Sequence, residues 1–540
     1  MIHADRPAGD KSLKKRVAFH NLGCKVNSYE LDIMRQILRD EGFEEVPFQE
    51  EADIYVVNTC TVTNIADRKS RQMLHRAKKQ NPDALVIAVG CYVETDPERV
   101  EADDAIDLVI GNNRKAQIGS ILTEFLSARE GQESSARTER EKPSFREDLT
   151  CSPAFENMVL TSPGHTRAYI KIQDGCNQFC SYCIIPFARG RIRSRVKDEI
   201  LREVRGLVAD GIREVVLTGI HVSSYGLDFP ADSAAGSPEA YAQPDAVKSR
   251  DAVKSRDALT IPDLSRQEQG GAAHKKGIPR GIPFDPVRAG KALLDLLTEL
   301  NSLEGLERIR LSSLEPRIMT ESFIAGLSGL EKVCPHFHLS LQSGCDATLR
   351  RMNRHYTTEE YARSVELLRR YYDRPAITTD VIVGFPGETE EEFAATCAFL
   401  ERIRFYEIHV FRYSRRNGTA AAKMTGQIPE PVKAQRSDRL LAMTSAQAAD
   451  FRSQFAGEKE TILLEELCSH EGKQYWTGST ARYVTGAVFA GDAEDSGLRS
   501  GMLLTGTFLE DRISLSRGDA VLFCPEKPVR PAITAGRGDL

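Results

Sequence analysis

The 540-residue sequence contains no run of the roughly 18 to 20 apolar residues that a membrane-spanning helix needs. Its opening stretch, MIHADRPAGDKSLKKR, has no apolar core, which argues against a secretory signal. An excess of positive charge is also missing. Lys and Arg number 72 against 78 Asp and Glu, a net charge of −6, so any nucleic-acid site must be a local patch. Twelve cysteines at this length do not make a disulfide scaffold. In a reducing compartment, cysteines at short fixed spacing point instead to metal or catalysis. These exclusions lead us to expect a cytoplasmic protein, with no membrane part, of two to four domains.

What is present is alternation of strand and helix. Residues 16–128 carry the short apolar runs RVAFHNL, ADIYVVN and ALVIAV, typical of buried parallel strands. Between them lie SYELDIMRQILRDEG, with Asn27 and Glu30 placed to cap it, and the basic helix DRKSRQMLHRAKKQNP, ended before Pro82. Residues 129–164 have no period and read as a linker. Six further strand–helix units follow in 165–456, which fits an incomplete (β/α)6 barrel better than a closed eight-unit one. Residues 229–287, with the direct repeat DAVKSRDAVKSR, interrupt this region and read as a disordered surface insertion. Residues 457–525 change to short β-type runs with glycine breaks, as in a small antiparallel barrel, and 526–540 form a Pro- and Gly-rich tail.

Cys176, Cys180 and Cys183 follow the first barrel strand, AYIKI, at the spacing C-x3-C-x2-C. Structural zinc wants four ligands, and no fourth Cys or His stands at a paired spacing nearby. A [4Fe–4S] cluster held by only three thiolates keeps one iron open to an outside ligand. An amino acid can chelate that iron, which is how clusters that bind and reductively cleave S-adenosylmethionine work. A zinc or redox loop is the competing reading. Barrel enzymes place chemistry at the carboxyl ends of strands. Thr218 and Gly219, Glu315, and Ser340 and Gln342 end the second, third and fourth strands and outline a small-molecule pocket. Tyr182 is placed to lie against an adenine, or merely to pack its loop.

Cys24, Cys60 and Cys91 stand just past the ends of three predicted parallel strands, where open α/β sheets bind ligands. They can converge on a second cluster with one free iron, although free Cys is also among the most buried residues. Arg189, Arg191, Arg193 and Arg195 follow the cluster loop. With Lys171, Arg350, Arg351, Arg354, Arg412, Arg415 and Arg416 they can form a basic rim for phosphates, or a solvated charged surface. Trp476, with Tyr475 and Tyr483, can stack on RNA or fill the core of the terminal barrel.

The stretches LGCKVNSYE, NTCTVTNIADRKSRQ, AVGCY, KIQDGCNQFCSYCIIPFARGRIRSR, HLSLQSGCDATLRRMNRHYT and TTDVIVGFPGETEEEF resemble the methylthiotransferase family of radical S-adenosylmethionine enzymes. The resemblance spans most of 16–525. It implies an N-terminal methylthiotransferase domain, a radical SAM barrel and a C-terminal TRAM domain. It further implies two [4Fe–4S] clusters, an auxiliary one on Cys24, Cys60 and Cys91 and an S-adenosylmethionine-binding one on Cys176, Cys180 and Cys183. Within the family, the wording is nearest the type that converts N6-threonylcarbamoyladenosine beside the anticodon of tRNA to its 2-methylthio derivative. That role implies tRNA, an electron donor and a sulfur source as partners. Other readings are action on another adenosine or a ribosomal protein, and an iron–sulfur carrier. The insertion departs from the family pattern, as does Cys345, which stands where Ser is usual. Cys151, Cys334, Cys397, Cys468 and Cys524 are read as structural.

Overall fold

The computed structural model describes residues 15–130, 142–149, 154–230, 282–491, 497–515 and 518–526. Most of the insertion, Cys151 and the tail lie outside these. No helix among the described residues is long and apolar enough to cross a membrane.

The first region is a six-stranded parallel sheet. Its strands are β1 (Arg16–Asn21), β2 (Glu44–Val46), β3 (Ile54–Thr59), β4 (Leu85–Gly90), β5 (Leu108–Ile110) and β6 (Ser144–Phe145), in the order β2-β1-β3-β4-β5-β6. Every residue of β3 and β4 is buried because helices cover both faces, hence the apolar runs IYVV and LVIAV. Helix α1 (Lys25–Asp40) begins two residues before the expected cap. Cys24 takes the cap position, and Asn27 instead bonds the carbonyls of Leu22 and Thr59. Helix α2 (Asn64–Gln80) is capped by Thr63, which accepts from the Ala66 N–H at 3.1 Å, and stops short of Pro82. Further helices are α3 (Cys91–Thr95), α4 (Pro97–Glu101) and α5 (Ile118–Glu130).

The stretch read as a linker is partly structural. It supplies β6, and it buries Met158 and Leu160 in the next region's core. A two-residue strand is too short to leave a sequence period.

In the second region, β7 (Ala168–Lys171), β10 (Glu214–Thr218) and β11 (Arg308–Leu311) form one parallel sheet. A second holds β12 (His336–His338), β13 (Ala376–Val383) and β14 (Glu407–Arg412). Parallel bridges Ile309–Val333 and Leu314–Leu339 link the two, so six strands follow one another in chain order. A two-residue antiparallel pair, β8 (Gln173–Asp174) with β9 (Arg193–Ser194), clasps the cysteine loop at its base. Within that loop lies α6 (Ile185–Arg189). Helix α1 packs along β7, the edge strand of the first sheet.

The last region closes into a five-stranded barrel from β15 (Lys459–His470), β16 (Lys473–Ser479), β17 (Thr485–Phe489), β18 (Leu503–Leu515) and β19 (Gly518–Pro525). All its pairs are antiparallel except β17–β19, which run parallel. Two arginines of β11 fasten it to the second region. Arg308 donates to the carbonyls of Ser479 and Thr461, and Arg310 to those of Ala481 and Thr480.

Candidate active site

The strand order of the first sheet reverses between β1 and β3, and ligand crevices form at such a reversal. Cys24 follows β1, Cys60 follows β3 and Cys91 follows β4, so register brings the three loops together. Asn21 pairs with Asn58, and Thr59 with Gly90. Two glycines permit the approach. Gly90 has φ +98°, and a Cβ there would stand 2.6 Å from the Thr59 carbonyl oxygen. A Cβ on Gly23 would stand 3.2 Å from Cys60 Sγ. Burial, then the neighbouring Cys91 thiol, pushes Cys60 up to about 12. Burial also raises Cys24, yet Cys24 is accessible to solvent.

The surroundings of this trio fit an anionic, metal-bearing group. Arg189 is fully buried and grips Glu30 with both Nη atoms, Asp174 with Nη1 and Asn27 with Nη2, while its Nε has no hydrogen-bond partner. Lys171 reaches Glu30 at 2.8 Å and Asp174 at 3.1 Å, and Lys115 also pairs with Glu30. With Arg193 3.5 Å from Asp174, four cations thus face these two carboxylates beside the thiols, a surplus that a negative group would balance. Burial alone would raise Glu30, but Arg189, Lys115 and Lys171 hold it well below the usual carboxylate range. A single zinc ion would need sulfurs about 3.8 Å apart at its bond length. Among the described residues, neither cysteine trio is one of the groups whose ligating atoms lie within 4.8 Å of one another, as a single ion requires.

The second trio is held locally. A Cβ on Gly175 (φ +69°) would overlap the Arg191 carbonyl, and the Cys176 N–H donates to the Gly190 carbonyl at 3.0 Å. Burial, then Cys180, pushes Cys183 up to about 12, and burial raises Cys176 further. Arg354 Nη1 donates to Cys180 Sγ at 3.2 Å. Glu315 is buried and accepts from Arg317 Nε at 2.6 Å and Gln178 Nε2 at 3.2 Å, and it lies 3.0 Å from His221 Nε2. Burial would raise it, but the His221 bond and charge and the Arg317 bond hold it at about 2. Thr218 is buried, and a Cβ on Gly219 would stand 2.9 Å from the Gln173 carbonyl. The Ser340 carbonyl accepts from Tyr356 Oη at 2.6 Å. Gln342 adopts φ +71°, a strained conformation that β13 enforces by bonding both its N–H and its carbonyl. Tyr182 packs edge-on against Phe385, with ring centres 6.4 Å apart.

Several of the arginines expected at a phosphate rim are spent inside the protein. Arg193 is buried beside Asp174, and Arg195 is buried against Glu203 and Tyr29. Arg189 and Lys171 belong to the Glu30 cluster, and Arg416 pairs with Asp67. Groups this enclosed cannot meet a phosphate. Arg351 is tied to Glu392, and Arg354 to Cys180. Arg350, Arg412 and Arg415 are exposed, and Arg191 is half-buried with its guanidinium 4.4 Å above the Phe179 ring. Trp476 and Tyr483 pack against the core of the terminal barrel, and Tyr475 is buried. Tyr483 also lies 3.6 Å beneath the Arg310 guanidinium. The sequence reading missed Glu30 as the organiser of this charge. The available signal was a carboxylate on the buried face of α1, at i+3 from Asn27.

The two trios are joined. Helix α6, which starts two residues after Cys183, packs on α3, which Cys91 opens. Asn112 Nδ2 lies 2.7 Å from the Ala188 carbonyl and 3.6 Å from Cys91 Sγ.

Comparison with known proteins agrees with this architecture. Residues 16–111 match the uncharacterized protein family UPF0004, and residues 170–400 the radical SAM superfamily. The threonylcarbamoyladenosine tRNA methylthiotransferase MtaB of Bacillus subtilis is 36% identical, over 88% of this chain and 90% of its own. The MtaB of Aquifex aeolicus is 35% identical, over 84% and 93%. The tRNA-2-methylthio-N(6)-dimethylallyladenosine synthase of Acetivibrio thermocellus is 31% identical, over 86% and 84%. The chain therefore belongs to the methylthiotransferase family of radical S-adenosylmethionine enzymes, which transfer a sulfur-containing group.

Proposed function

We propose that this enzyme converts N6-threonylcarbamoyladenosine at position 37 of tRNA, in the cytoplasm, to the 2-methylthio nucleoside. The observation that carries the reading is the junction of two thiol trios through α6, α3 and Asn112. Two tRNA-modifying MtaB relatives covering more than four fifths of the chain favour this substrate.

Adenine C2 carries an unactivated C–H bond that acid–base side chains cannot replace. When bound, the two iron–sulfur groups supply one-electron chemistry and open iron sites for S-adenosylmethionine and for sulfur. Cys176, Cys180 and Cys183 would hold the first and Cys24, Cys60 and Cys91 the second. The chain's other residues hold charge and position. Arg354 sets a positive charge at Cys180, and Arg189 another beside Cys24 and Cys91. Glu315 is ionised at neutral pH and suits the amine of S-adenosylmethionine. Thr218, Gly219, Ser340 and Gln342 border the same pocket, with Tyr182 beside it. The six strands form an incomplete barrel within 165–456. Residues 16–128 form the methylthiotransferase domain, and the closed barrel of 457–525 is a TRAM domain that grips RNA. Arg191, Arg350, Arg412 and Arg415 contact phosphates.

The test is mass spectrometry of tRNA nucleosides from cells lacking the protein. The methylthio group should vanish while N6-threonylcarbamoyladenosine remains. An unchanged nucleoside profile would end the assignment.

A further inference from the structure

Three neighbouring parallel strands carry a polar cluster outside both thiol trios. His338 ends β12, Asp380 lies within β13 and His409 within β14, and a ligating atom of each lies within 4.8 Å of the others. Thr378 Oγ1 fixes His338 Nδ1 at 3.0 Å. The ring therefore turns Nε2 toward Asp380, 3.2 Å away, where this buried nitrogen has no aligned hydrogen-bond partner. The two imidazoles stack with centres 5.6 Å apart. Side-chain exposure rises along the row, from 11% at His338 through 27% at Asp380 to 45% at His409. The row is thus seated at one end and open at the other.

What it opens onto is set by Lys25, the residue after Cys24. Lys25 is accessible to solvent and lies within electrostatic reach of Asp380, Arg310 and Cys24. The histidine row therefore lies beside the auxiliary thiol loop. Its chemistry is specific. Lys25 and two imidazoles are donors for a carboxylate, and Asp380 is an acceptor for a hydroxyl or an amide N–H. A threonylcarbamoyl arm carries a carboxylate, a hydroxyl and a ureido group. A dimethylallyl arm carries none of these and would cover the polar groups without pairing them.

We propose that Lys25, His338, Asp380 and His409 are the receptor for the N6 side chain of the substrate adenosine, and that they set the choice of an acidic arm over an apolar one. This rests on the substrate reading above. The same two imidazoles and carboxylate would also suit a divalent cation, but Lys25 beside Asp380 opposes one.

The test uses the reconstituted enzyme and an anticodon stem-loop RNA. One RNA carries N6-threonylcarbamoyladenosine, and a second carries plain adenosine at the same position. Fluorescence anisotropy gives each affinity, and mass spectrometry gives methylthiolation. H409A and D380N should each weaken the modified RNA about tenfold or more and leave the plain RNA unchanged, which also checks folding. Equal losses on both RNAs, or no loss on either, would overturn the receptor. So would one equivalent of a divalent metal beyond the cluster iron that disappears in H409A. If the unaltered enzyme neither prefers nor methylthiolates the modified RNA, the substrate reading falls and takes the receptor with it. If it does both and the variants behave identically to it, the receptor alone falls.

Discussion

The two thiol trios reach similar surroundings by opposite routes. Cys176, Cys180 and Cys183 sit within eight consecutive residues, shaped by a clasped loop and Gly175. Cys24, Cys60 and Cys91 are scattered, and only the register of three parallel strands unites them. Their counter-charges differ in the same way. Arg354 is half-buried and touches Cys180 directly, whereas Arg189 is sealed within the Glu30 cluster. A loop site is thus a local property, and a sheet-edge site is a property of the whole fold.

The sharpest way to break this comparison is to remove one thiol from each. Iron analysis of the anaerobically reconstituted protein should give about eight irons per chain. C183A and C60A should each lose about half of them and all methylthiolation. Loss of every iron from C183A alone would mean that the sites do not fill independently.

The next effect concerns stability. R189M strands Glu30 and Asp174 with fewer partners and should cost about 3 to 5 kcal/mol. R354M lies in a more open site and should cost about 1 kcal/mol or less. Urea unfolding of the metal-free proteins reads both, and equal costs would erase the distinction.

Two carboxylates outside the trios extend the contrast to pH. Burial, outweighing the pull of Lys171, raises Glu156 to about 7. Its neutral form therefore stabilises the fold fully below the unfolded pKa of about 4.3, and this is lost as pH rises through about 7. Glu315 runs the other way. It stabilises above about pH 4.3, and that is lost as pH falls toward about 2. Denaturant midpoints measured across pH should show the loss between about 4.3 and 7 vanish in E156Q. The acid-side loss should shrink in E315Q.

The smallest effect separates surface from interior. R191Q should weaken RNA binding about threefold and reduce the salt slope by about one charge, with stability unchanged. An unaltered slope would remove Arg191 from the phosphate contacts.

Much of this was legible in the sequence. β3 and β4 are buried on both faces, so their strings are largely apolar, with Asn58 and Thr59 the polar end of β3, and stand out. The cysteine loop declares itself by spacing. β6 did not, because two residues have no period. The arginines misled for a different reason. A charge in a sequence does not say where its partner lies, and the partner of Arg189 is Glu30, 159 positions away. The histidine row was invisible likewise, because its members share no local pattern and meet only across paired strands.

Arg308 and Arg310 carry a mechanical consequence. They bolt the terminal barrel to β11, the strand whose end leads directly to Glu315. A pull on that barrel is transmitted along one short rod toward Glu315. The separation between the terminal barrel and the strand ends is thus set when the chain folds, like the opening of a fixed-jaw caliper.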